Sequence, residues 1–167
     1  MESRCHILFI GTDQLRFDAL GANGNPVCQT PNLDRLAAAG MNFTGAFTVS
    51  SLCSPARASL LTGLYPHNHG MTDNCNAREV RMRELPLELP AFPRLLRTAG
   101  YRTGYVGKWH VGRGESYPQA NGFHLNVGGT LWGAPQTFWY PFNGDSYFRD
   151  WRYVPGLEPG REGEYLT

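Results

Sequence analysis

The sequence predicts an α/β fold with parallel strands, on three observations. Short apolar runs alternate with amphipathic stretches in a strand–helix–strand rhythm. The helical stretches open near proline and close at glycine. The chemistry-bearing residues fall where apolar runs end, the edge at which ligands gather in open α/β sheets. At 167 residues the chain is long enough for one domain with a buried core.

Residues 6–10 form a short apolar run, which reads as a buried parallel strand with Gly11, Thr12 and Asp13 at its C-terminal end. Thr30 and Pro31 start a helix that Leu33, Leu36 and Ala37 make amphipathic and Gly40 closes. Residues 41–47 read as a strand or extended segment. In the next helix Ser54 can cap, Pro55 suits the first turn, residues 56–61 are mostly good helix formers and Gly63 can end it. Residues 64–88 are rich in Pro, His, Asn and Arg and read as loop. Residues 89–99 form a second amphipathic helix, with Phe92, Leu95 and Leu96 on one face and Gly100 after it. Residues 101–106 read as the next strand, and Gly107, Lys108, Trp109 and His110 emerge from its end. Residues 111–160 are rich in glycine, proline and aromatic side chains, without an internal repeat.

Composition narrows the function classes. With 41% hydrophobic and 17% charged residues the chain is globular rather than disordered. The formal charge of +1 implies no polyanion partner, so nucleic acid is not expected. No run approaches the roughly 18 apolar residues of a membrane span. The apolar run 7–10 is too short for a signal-peptide core, so the chain reads as cytoplasmic as written, or as secreted or periplasmic if a leader has been removed. Cys5, Cys28, Cys53 and Cys75 are widely spaced and lack a Cys-x-x-Cys pair, so neither a zinc ribbon nor a disulfide framework is demanded. A zinc reading of His67 and His69 with Cys75 meets irregular loop spacing. Asn42-Phe43-Thr44 is a glycosylation sequon that matters only in a secreted chain.

Cys53 falls at a helix start, where unpaired backbone N–H groups and the helix dipole favour an anion. Arg57 lies about one turn on and can aim a forked cation at the same place. A cysteine phosphatase would need an arginine six residues after the cysteine, and Ser59 stands there. A buried structural cysteine and a surface arginine are the plainer alternatives. Lys108 and His110, two apart on an extended segment, can point to one side. Taken alone they read as a solvated charge and a loop histidine, and Asp13 alone reads as a turn or capping residue.

Together these segments resemble the sulfatase family. Cys53-Ser54-Pro55-Ala56-Arg57 resembles one family signature, and residues 100–110, ending Gly107-Lys108-Trp109-His110, resemble the other. Thr12-Asp13-Gln14 stands where the family places its first metal ligand, and residues 30–37 resemble a Thr-Pro-Asn-Leu-Asp helix start. The resemblance implies an alkaline-phosphatase-like, mostly parallel sheet flanked by helices. Sulfatases are considerably longer, so residues 1–167 are expected to be an N-terminal portion of one catalytic domain. Residues 113–167, with Trp132, Trp139, Tyr140, Phe142, Tyr147, Phe148 and Trp151, are expected to supply substrate-side loops.

The resemblance further implies that a maturation enzyme converts Cys53 to formylglycine. The hydrated aldehyde attacks the sulfur of a sulfate ester with one hydroxyl and expels sulfate with the other. A divalent metal, calcium first with manganese or magnesium open, is expected at Asp13 and residue 53, with Gln14 as a weaker ligand. Many sulfatases carry a second Asp where this chain has Gln14, which lowers the charge of the site. Arg57 would orient the diol, Lys108 would neutralise sulfate oxygens, and His110 would move a proton. Asn74 and His69 are candidate substrate contacts; His124 is a weaker one. The expected partners are a sulfated small molecule or sugar, the maturation enzyme, and the missing C-terminal part of the enzyme or a second copy. Gln14 also suits a phosphonate monoester or phosphodiester hydrolase of the same superfamily, and the length suits a truncated, non-catalytic domain.

Overall fold

A computed structural model describes residues 5–78, 82–129 and 131, which divide into two units, Met1–Phe47 and Thr48–Thr167. The first unit holds two 3-10 turns, Phe17–Ala19 and Gly21–Asn23, and the helix α1, Pro31–Ala39. Pro31 opens α1 because its missing N–H would be unpaired there anyway, and the Gly40 N–H closes it on the Leu36 carbonyl at 3.0 Å. Thr30 flanks the helix without capping it. Its Oγ1 accepts the Gly21 N–H at 2.9 Å and donates to Asp34 Oδ1 at 2.8 Å, and the same carboxylate oxygen accepts the Ala22 N–H at 2.7 Å. A Cβ on Gly21 would lie 2.5 Å from Asp34 Oδ2, so this close approach requires glycine.

The strand expected at residues 6–10 does not form, and residues 41–47 are loop. Leu8 is 84% exposed and Ile10 76%. A parallel strand of this class is held by ladder partners and by helices over its faces. Among the described residues the only paired strands are β1, Gly104–Val106, and β2, Leu125–Val127.

Those two strands run parallel, with Gly104 opposite Leu125 and Val106 opposite Val127, and the Gly107 N–H extends the ladder to the Val127 carbonyl at 2.8 Å. Around them lie α2 (Cys53–Thr62), α3 (Pro66–His69), α4 (Phe92–Thr98) and a 3-10 turn at Gly114–Ser116. Both α3 and β2 fall in stretches that read as loop. α3 carries the punctuation of the longer helices, Pro66 at its start and left-handed Gly70 after its end. β2 has three residues, too few for an alternation to show. α4 starts later than expected. Its buried residue is Pro93, while Leu95 is 65% exposed, so the apolar stripe turns largely outward.

The core of the second unit comprises Ala58 and Leu61 of α2 with Met71, Cys75, Leu85, Trp109, Val111 and Phe123. Trp109 is its largest side chain. Its indole N–H donates to the Ser116 carbonyl at 2.8 Å, and its ring meets Tyr105 and Phe123 edge-on at 5.0 and 6.2 Å. Trp109→Ala is expected to destabilise the second unit by about 3–5 kcal/mol. Leu36→Ala, at a position 67% exposed in α1, should stay within about 0.5 kcal/mol. Urea unfolding of both variants measures the difference.

Candidate active site

The segment Gly107-Lys108-Trp109-His110 leaves β1 and crosses the start of α2. Two side chains of α2 hold its backbone. Arg57 Nη1 donates to the Lys108 carbonyl at 2.5 Å, and Ser54 Oγ donates to the His110 carbonyl at 2.5 Å. Trp109, between them, is anchored in the core. With its backbone fixed, Lys108 places Nζ 3.2 Å from Cys53 Sγ. Cys53 is half-buried at the first position of α2.

A second strap, Asn74-Cys75-Asn76, braces the same corner. Asn74 Oδ1 accepts the Ser54 N–H at 3.0 Å, the Cys75 N–H donates to Ser54 Oγ at 3.1 Å, and the Cys75 thiol donates to the His110 carbonyl at 3.3 Å. Burial pushes the Cys75 thiol up from its ordinary pKa of 9.0, which keeps it a neutral donor. Asn76 Oδ1 lies 3.0 Å from His110 Nε2. His110 is 4% exposed and adopts a left-handed backbone, with φ at 59°. That conformation costs a non-glycine residue about 1–3 kcal/mol and persists only where surrounding bonds over-determine it. Here Ser54 and Cys75 hold its carbonyl and Asn76 holds its ring.

The helix start therefore differs from the sequence expectation. Ser54 does not cap α2; Leu52 is the flanking residue, and the cap on the Ser54 N–H is Asn74, twenty residues downstream. Pro55 has no N–H to offer, and the Ala56 N–H is bonded to the Leu52 carbonyl at 3.1 Å. Cys53 keeps the one amide N–H of the first turn that these bonds do not consume. Gly63 closes the helix as expected, with φ at 72° and its N–H on the Ser59 carbonyl at 2.8 Å.

The sulfatase family profile matches residues 6–157, nearly the whole chain. The chain belongs to the sulfatase family. It is 37% identical over 161 residues to mouse N-acetylgalactosamine-6-sulfatase, a match covering 89% of this chain and 30% of that enzyme. It is 42% identical over 126 residues to human arylsulfatase A, covering 74% of this chain and 25% of the relative. The solved structure of Ps i-CgsB superposes with a TM-score of 0.68 at 31% identity, over 93% of this chain and 33% of that one. The fold is accordingly the alkaline-phosphatase-like α/β class, and the chain spans less than a third of the length of these two sulfatases.

Within this sulfatase-family chain, the second unit contains Cys53, Arg57, Asn74, His69, Lys108 and His110. Lys108 meets Cys53 directly, and Arg57 and His110 are tied to the same corner through backbone carbonyls. Asn74 acts as the helix cap described above. His69 is 2% exposed and works inside the protein: its Nδ1 accepts the Met71 N–H at 3.1 Å, which leaves the proton on Nε2, 2.9 Å from Ser59 Oγ. His124 Nδ1 lies 2.9 Å from Thr103 Oγ1, beside the sheet. Trp132 and the later aromatic residues lie outside the described residues. Sequence reasoning passed over Tyr105 and Asn76. Tyr105 is visible only as a strand residue three before Lys108, and nothing local marks Asn76.

Asp13 and Gln14 lie in the first unit, both exposed, in a bend after residues 6–10. Gln14 has φ at 57°, a second non-glycine left-handed residue at a position singled out for function. A carboxylate and an amide oxygen are hard donors suited to a cation such as calcium, which takes about 6–8 oxygens. Among the described residues no three His, Cys, Asp or Glu side chains gather into a metal-holding group. The donors present therefore fit part of a cage in kind and fall short of it in number.

Burial holds the His69 pKa below its ordinary 6.5, because desolvation disfavours the imidazolium; the Pro55 carbonyl offsets this in part. The unfolded chain then binds this proton more readily than the folded one. The contribution is full above pH 6.5 and is lost as the pH falls through the lower folded value. Urea midpoints of the wild type should drop on acidification below pH 6.5 with a slope of up to about 1.4 kcal/mol per pH unit. His69→Gln should flatten that slope.

Proposed function

We propose that this chain carries the nucleophile end of a sulfatase active site and hydrolyses sulfate esters once Cys53 is matured to formylglycine. The observation that carries the proposal is the Lys108 ammonium 3.2 Å from Cys53 Sγ at the first position of α2. Cys53 Sγ marks the place that the oxygens of the matured, hydrated side chain would take. One diol oxygen attacks sulfur, the bond from sulfur to the ester oxygen breaks, and the alcohol leaves with a proton. The second hydroxyl then loses its proton, the carbon–oxygen bond to sulfate breaks, and the aldehyde returns. Lys108 balances charge on the sulfate oxygens where it develops. His110, with its ring held by Asn76, is the group we assign to proton transfer. Arg57 secures the Lys108 carbonyl and adds positive charge beside the helix start.

A divalent cation, calcium first, would take Asp13 and Gln14 as oxygen ligands and would supply Lewis-acid charge. Sulfated sugars are the substrate class we favour, because N-acetylgalactosamine-6-sulfatase is among the relatives. The remaining length of the relatives would supply the rest of the site and cover exposed apolar side chains such as Leu8, Ile10 and Phe47; self-association of the chain would cover the same residues. Among the described residues no helix is long and apolar enough to cross a membrane.

Coexpression with a maturation enzyme should lower the mass of the peptide containing residue 53 and, in protein of full relative length, yield metal-dependent hydrolysis of an aryl sulfate, while residues 1–167 alone should show little turnover. Cys53→Ala should lose about 10³-fold or more in kcat. Cys53→Ser should accept sulfate once and stop, since serine has no second hydroxyl with which to expel it. An unmodified Cys53 in a protein of full relative length, made with the maturation enzyme, would overturn the proposal. Gln14 favours one second reading, a phosphonate monoester or phosphodiester hydrolase. Faster turnover of an aryl phosphonate than of an aryl sulfate would establish it.

A further inference from the structure

Arg94, Arg97 and Thr98 are spaced three and four residues apart on α4 and so share one face. They line a cavity of about 410 Å³, open to solvent, whose other wall is Ala120 and Gly122. That volume lies within the range of small-molecule sites. A Cβ on Gly122 would lie 2.5 Å from the Arg94 N and 2.8 Å from its Cα, and φ there is 103°, so this close approach of the wall to α4 requires glycine. The wall is tied in place. The Gly122 N–H donates to the Gln119 carbonyl at 3.2 Å, and the Gly122 carbonyl accepts the Thr103 hydroxyl at 2.7 Å.

The cavity sits where both strands begin: Thr98 precedes β1, and Ala120 and Gly122 precede β2. Lys108 and His110 follow the end of β1, and the strands are parallel. The cavity and residue 53 therefore belong to opposite ends of the sheet.

Its charge is positive and unspent. Arg94 is half-buried, and its Nη2 donates to the Leu89 carbonyl, which orients the guanidinium and leaves its other donors for a ligand. Arg97 is exposed. Among the described residues no carboxylate pairs with either arginine. The C-terminal turn of α4 turns no open carbonyl on an anion. The Leu95, Leu96 and Arg97 carbonyls accept the Ala99, Tyr101 and Gly100 N–H groups, each at 2.9 Å, and the Arg94 carbonyl accepts the Thr98 hydroxyl at 3.0 Å. Two guanidinium forks over a floor without large side chains suit a tetrahedral oxyanion.

We infer that Arg94 and Arg97 form a second oxyanion site, at the opposite end of the sheet from residue 53, which takes a sulfate group. The group is free sulfate or a sulfate ester on a saccharide chain. The saccharide source rests on the sulfatase reading; the site itself does not.

Sodium sulfate, exchanged for sodium chloride at constant ionic strength, probes the whole chain without maturation. Nitrogen-15 NMR of the arginine Nε–H groups should show the Arg94 and Arg97 signals moving on one saturable curve, with Arg35 on α1 as the unmoved reference. Arg94→Gln should weaken binding about tenfold and Arg97→Gln, at the more exposed position, about threefold. Because Arg97 is exposed, its variant still decides the matter if Arg94→Gln fails to fold. Arg94 and Arg97 shifts no larger than that of Arg35, or variants that bind sulfate like the wild type, overturn the site. In matured protein of full relative length, Arg97→Gln should raise KM about threefold on a polysulfated saccharide and leave kcat and KM on an aryl sulfate unchanged. An unchanged KM on the saccharide overturns the saccharide source and assigns the site to free sulfate. A matured wild type without sulfatase activity sinks the sulfatase reading, and the NMR titration still decides the site.

Discussion

Two carbonyl oxygens, those of Lys108 and His110, are gripped by side chains of one helix, and the geometry of the site follows from that grip. Arg57 and Ser54 lie on α2 three residues apart, on neighbouring turns of one face. Lys108 and His110 lie two apart on the segment that crosses that face. Between the two bonds Trp109 fills the core. Each carbonyl has a second donor, the Tyr105 hydroxyl at Lys108 and the Cys75 thiol at His110, so loss of either bond would cost about 0.5–1.5 kcal/mol. The spacing of the two motifs along the chain thus becomes a spacing in space, with Cys53 and the Lys108 ammonium meeting at the end of α2.

The same corner departs from the simple picture of a helix N-terminus as an anion site. Asn74 takes up the Ser54 N–H, and Pro55 has none. Charge next to residue 53 comes from Lys108 and, behind it, Arg57, rather than from a ring of open amides. In the proposed reaction a compact ammonium would suit negative charge that moves between sulfate oxygens, because it can follow them without a fixed fork geometry. Strain is held at His110, whose left-handed backbone is tied by three partners, and among the described residues the other non-glycine residue in that conformation is Gln14. Both positions carry functional expectations from sequence alone.

Much of this was legible in the sequence, for reasons that differ from residue to residue. Helix punctuation is local chemistry, so Pro31, Gly40 and Gly63 mark real boundaries. The pairing of Cys53 with Lys108 was reached through motif resemblance, since fifty-five residues separate them and no local pattern joins them. Ser54 was misread as a cap because its propensity is local, whereas its bonds go to Cys75 and His110. Asn74 and His69 were read as substrate contacts on type and position. Asn74 caps α2 and His69 is buried beside Ser59, roles that depend on long-range packing. The run 6–10 has strand composition, but composition cannot provide a neighbour, and among the described residues it has no ladder partner.

The central claim is that the docking of Gly107-Lys108-Trp109-His110 on α2 aims the Lys108 ammonium at residue 53 in the working protein. A crystal structure of the matured protein at full relative length tests it most directly. The account predicts a tetrahedral, oxygen-bearing carbon at residue 53 with Lys108 Nζ in hydrogen-bond reach, and Arg57 and Ser54 on the Lys108 and His110 carbonyls. An unmodified thiol at residue 53 with Lys108 turned to solvent would contradict it.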